Sequence, residues 1–92
     1  MIKSIMQDKK ECYYTHSPYG LHLHHIMNGA FRKKSEKYGL VVYLRHDFHV
    51  GTNYAIHNNP KKMLELKAEA QRRFEEIYSH DLWMKEFHKN YL

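Results

Sequence analysis

The sequence predicts a small α+β domain in which two short strands precede a long amphipathic helix. Three observations carry that prediction. Apolar and imidazole side chains alternate over Leu21-His22-Leu23-His24, the period of a half-buried strand. Leu40-Val41-Val42-Tyr43-Leu44 is a β-branched and aromatic run, the composition of a second strand. Met63, Leu66, Ala70, Phe74 and Ile77 then recur at spacings of three, four, four and three, which aligns them as one apolar stripe on a helix.

In chain order, Met1 to Lys10 has no clear period and reads as a loosely held arm. Tyr13 to Gly20 is rich in turn formers. The first strand runs from Leu21 to Ile26, and Asn28-Gly29 is a tight-turn pair. Arg32, Lys33, Lys34 and Lys37 fall in a loop or a short turn of helix that ends at Tyr38-Gly39. Arg45 to Asn59 shows no amphipathic period and is expected to be irregular or briefly helical. Asn59-Pro60 is a helix start, Asn capping free amides and Pro fitting the first helical position. Lys62 stands where a capping box would need Glu or Gln. Ser79-His80-Asp81 interrupts the helix, and Leu82, Trp83, Met84, Phe87 and Tyr91 suggest a short closing helix that folds back.

Ninety-two residues make a single domain with one small core. Within it, residues 11–59 form the histidine-bearing part and residues 60–92 a helical scaffold. Cys12 is the only cysteine, which excludes an internal disulfide and suits a reducing, cytoplasmic setting. The longest apolar run, Leu40 to Leu44, is too short for a membrane span, so no membrane partner is expected. Fifteen Lys and Arg against ten Asp and Glu give a net charge of +5, which suits an anionic partner without identifying it.

The histidines point to chemistry. Seven of the nine lie between His16 and His57, beside short apolar segments. Imidazole is the commonest metal ligand, and its proton affinity lies nearest to neutral pH. A crowd of imidazoles in so small a chain suggests a metal site with an attached general base. Cys12, His16, His22 and His46 are a further candidate set, for a structural zinc ion, although their spacing matches no standard ligand pattern.

The segments Glu11-Cys12-Tyr13, Leu21-His22-Leu23-His24-His25-Ile26 and Ser35-Glu36-Lys37-Tyr38-Gly39-Leu40, followed by Leu44, His49, Asn53 and Ile56-His57-Asn58, resemble the HNH, or ββα-metal, nuclease superfamily. The likeness is greatest to the compact HNH-type proteins of phages and prophages, and it covers roughly residues 11–59. It implies a ββα-metal core and a metal-dependent endonuclease that hydrolyses DNA phosphodiester bonds. By the same resemblance His24 is a metal ligand and His25 the general base, with His49 and His57 as further ligands or as one ligand and one phosphate contact. Asn53 lies near the asparagine that steadies the base-bearing loop.

One divalent cation (Mg, Mn, Ni or Zn) is the implied cofactor, and DNA, expected to be double-stranded, is the implied partner. Arg32, Lys33, Lys34 and Lys37 would hold its backbone. The oligomeric state is open, and a dimer is compatible with the chain. Competing readings are a catalytically silent nucleic-acid-binding or regulatory protein, and a structural zinc module for protein contacts.

Two features depart from the family pattern. There are no paired Cys-x-x-Cys knuckles, and imidazole replaces an acidic ligand, leaving the role of Asp47 open. One geometric condition also follows. Adjacent strand residues face opposite ways, so His24 and His25 share a site only if the strand ends or distorts between them.

Overall fold

A computed structural model describes residues 3–92. Strands β1 (Leu21–His25) and β2 (Val41–Arg45) pair antiparallel, with Leu21 opposite Arg45 and His25 opposite Val41. Between them a 3-10 turn at Gly29–Phe31 leads into helix α1 (Arg32–Lys37). Helix α2 (His46–His49) follows β2 directly. A second 3-10 turn, Ile56–Asn58, precedes α3 (Pro60–Ile77), and α4 (His80–Phe87) closes the chain. The fold is α+β: one two-stranded sheet and four helices among the described residues. None of those helices is long and apolar enough to cross a membrane.

The core lies between one face of the hairpin and the two C-terminal helices. Val42 and Leu44 of β2, with Ile26, Leu40 and Ile56, pack with Leu66, Ala70 and Phe74 of α3 and with Trp83 and Phe87 of α4. Phe74 and Trp83 are fully buried, and burying a side chain of the Phe class contributes about 1.5–3 kcal/mol. The start of α3 follows the sequence signal, since Asn59 Oδ1 accepts from the Lys62 amide at 3.1 Å. Ser79 caps α4 in the same way, accepting from the Leu82 amide at 3.1 Å.

Two expectations are corrected. Ile77 does not finish the apolar stripe but stands 55 % exposed, at the last residue of α3, just before Ser79 starts α4. Gln71 is buried instead, and its amide is satisfied by Glu75, Asn90 and the Tyr91 backbone. The N-terminal arm is also not loose where it is described, from Lys3 onward; Met1 and Ile2 of that segment lie outside the described residues. It lies along the free edge of β2: the Ile5 amide donates to Gly39 O at 2.9 Å, and Gln7 Oε1 accepts from the Tyr43 amide at 2.7 Å. Met6 is buried in the core.

Buried Ser35 ties α1 to the hairpin. Its hydroxyl donates to Leu40 O at 2.6 Å and accepts from the Met27 amide at 3.3 Å. That pair of bonds sets where the neighbouring Glu36 and Arg32 stand relative to β1.

Candidate metal centre

Three elements converge on one point. β1 places His24 opposite Val42, α2 ends on His49, and the turn before α3 carries His57. One ring nitrogen from each of the three lies within 4.8 Å of the others. His49 Nε2 and His57 Nε2 are 3.1 Å apart. Tetrahedral zinc with bonds of about 2.0–2.1 Å requires ligand nitrogens about 3.3 Å apart, so the spacing fits a shared ion after small movements.

His24 supplies an independent sign of a ligand position. It is 2 % exposed, and its Nε2 is buried with no hydrogen-bond partner. An unsatisfied buried polar atom costs about 1–3 kcal/mol, and a cation held with His49 and His57 would satisfy it. Burial, followed by the neighbouring His49 and His57, pushes the His24 pKa down to about 3. Burial and then His57 and His22 push His49 down to about 4. Both rings are therefore neutral at physiological pH, the state in which imidazole binds metal.

His25 stands outside the trio. Its Nε2 lies 2.7 Å from Glu36 Oε1, and its side chain is only 10 % exposed. A carboxylate only accepts, so Nε2 carries the proton of that bond. β1 stays paired through His25, so His24 and His25 lie on opposite faces without distortion. They nonetheless border one cleft of about 320 Å³, lined also by Asn28, Arg32, His49 and His57. Two larger hollows, of about 530 and 510 Å³, lie beside the N-terminal arm and contain none of the trio.

Other expected residues are placed elsewhere. Asn53 is exposed in the turn after α2 and is not among the residues that border the cleft. Of the basic cluster only Arg32 borders it, while Lys33 is exposed on α1. Lys34 is committed to α4, 3.0 Å from Glu86 Oε2, and Lys37 lies over the Tyr38 ring at 5.2 Å. Asp47 is not a ligand to the trio. Arg45 holds it with two hydrogen bonds of 2.6 and 2.8 Å, Tyr54 donates a third at 2.8 Å, and the Arg45 bonds keep its carboxyl well below the usual range.

The set Cys12, His16, His22 and His46 does not assemble. Cys12 is fully buried, whereas His16 is exposed and pairs with Glu11 at 2.7 Å. His80 pairs with Glu75, and His88 caps α4 in the left-handed conformation.

Comparison of the chain with protein-family models, with curated proteins and with solved structures gave no match. The geometry alone therefore bears on function. Sequence reasoning missed Glu36 as the partner of His25. Its one signal was a carboxylate standing alone within a basic cluster.

Proposed function

We propose that this protein is a metal-dependent endonuclease of the HNH kind, acting on double-stranded DNA. The observation that carries the reading is the buried, partnerless Nε2 of His24, a ring that clusters with His49 and His57, beside a histidine that is not part of the trio. Two antiparallel strands followed by a helix, with the histidines gathered at the strand edge and before the helix, suit a ββα-metal core. His24, His49 and His57 would hold one divalent cation; a set of three imidazoles favours zinc, nickel or another transition metal over magnesium, which prefers oxygen ligands. When bound, such a cation supplies Lewis-acid stabilisation to phosphate and leaving-group oxygens.

The chain's own groups divide the remaining work. Glu36 accepts the Nε2 proton of His25 and so fixes the ring's orientation and tautomer. His25 Nδ1 takes a proton from water as its oxygen attacks phosphorus and the phosphorus–oxygen bond to the leaving nucleotide breaks. Proton transfer by a positioned side chain contributes about 10²–10⁴-fold. Arg32, at the cleft, offers its guanidinium to the non-bridging phosphate oxygens in the fork geometry that phosphate accepts.

The test is incubation of supercoiled plasmid with protein loaded with Zn²⁺, Ni²⁺, Mn²⁺ or Mg²⁺. Nicking that stops with EDTA and returns with added metal is the expected result. An intact plasmid under every metal would refute the nuclease reading.

A further inference from the structure

Two more histidines extend the trio as an ordered line of ring nitrogens. His49 Nδ1 lies 3.1 Å from His22 Nδ1, and His22 Nε2 lies 3.3 Å from His46 Nδ1. The rings meet edge to face, at interplanar angles of 88° for His22 and His49 and 80° for His22 and His46. At the other end of His49, Nε2 faces His57.

A nitrogen that binds a cation uses its lone pair and carries no proton. His49, ligating through Nε2, must therefore hold its proton on Nδ1. That N–H has His22 Nδ1 within reach as its acceptor. With Nδ1 accepting, His22 carries its own proton on Nε2 and donates it to His46 Nδ1. His46 is exposed and ends the line with its remaining N–H toward water. Ligation at one end thus sets the direction of every bond. Strand β1 contributes both a ligand, His24, and the support for another, His22; helix α2 carries His49 and, three residues earlier, the His46 that anchors this support.

We propose that His22 and His46 are positioning residues of the metal centre, fixing the tautomer and ring angle of His49. This rests on the metal site of the proposed function and adds a determinant of its affinity. Groups that orient a ligating histidine typically change metal affinity by about 10–100-fold when removed.

The experiment measures zinc affinity of the whole chain by competition with a chromophoric chelator, with circular dichroism confirming the fold of each variant. His22→Phe keeps a ring but removes the acceptor, and is expected to weaken zinc binding about 10–100-fold. His22→Asn returns an acceptor oxygen near the place of Nδ1 and should recover most of that loss. Unchanged affinity in His22→Phe, or equal loss in both variants, would overturn the assignment. A reading without variants comes from ¹⁵N NMR of the zinc-loaded wild type, where His49 must carry its proton on Nδ1; a proton on Nε2 contradicts the proposal. A wild-type chain that takes up no zinc defeats the metal centre itself. Wild type and His22→Phe binding zinc equally well defeats only the role of His22.

Discussion

His24 is the residue on which the site turns, and its energetics give a prediction that needs no metal. Its folded pKa of about 3 lies below the ordinary 6.5. Between those values the unfolded chain binds a proton that the folded chain refuses, so the contribution is fully present above pH 6.5 and is lost as pH falls toward 3. His49, pushed down to about 4, acts in the same direction. For metal-free protein His24 alone removes about 2 kcal/mol of stability by pH 5. Thermal denaturation after chelation should therefore show a clearly lower midpoint at pH 5 than at pH 7.5, and equal midpoints would contradict the burial argument. The ligand types are legible in the sequence because so many imidazoles crowd into one short stretch. The partner of His25 is not, because Glu36 reaches it only through α1, eleven residues on and held by buried Ser35.

The elements are legible wherever a side-chain period or a cap declares them. Asn59-Pro60 and Ser79 start the two long helices as their chemistry dictates. The stripe through Met63 and Phe74 overruns at Ile77, since period alone does not say where the partner surface stops. The arm escapes a sequence reading for a different reason: it is held by Ser4 Oγ donating to Val41 O, Gln7 Oε1 accepting from the Tyr43 amide and the Ile5 amide donating to Gly39 O, single bonds to main chain that no side-chain period announces. Gly39 is the hinge of that docking. It has φ +70°, and a Cβ there would run into the Lys3 carbonyl oxygen and approach the Ile5 side chain at 3.2 Å. Gly39→Ala should therefore strain the turn and lift the arm, lowering stability by about 1–3 kcal/mol and speeding proteolysis before Met6. Wild-type stability and protease resistance in that variant would show that the arm does not depend on this close approach.

At the scale of the molecule, a net charge of +5 suits an anionic partner such as the DNA of the proposed function, but not every cation is free to serve it. Lys34 is bound to Glu86 and joins α1 to α4, whereas Arg32 and Lys33 are exposed on the same helix. Arg32→Ala with Lys33→Ala should thus flatten the log–log salt dependence of duplex binding by about 0.9 for each phosphate that is no longer neutralised. An unchanged slope would remove α1 from the interface. The adjacent histidines of β1 divide the labour, His24 inside the trio and His25 outside it. The most direct measurement of that division is the cleavage rate of His25→Ala on supercoiled plasmid, with bound metal quantified in the same preparation. Full metal content and a rate lowered about 10²–10⁴-fold are expected. Cleavage at the wild-type rate, or departure of the metal together with His25, would contradict it.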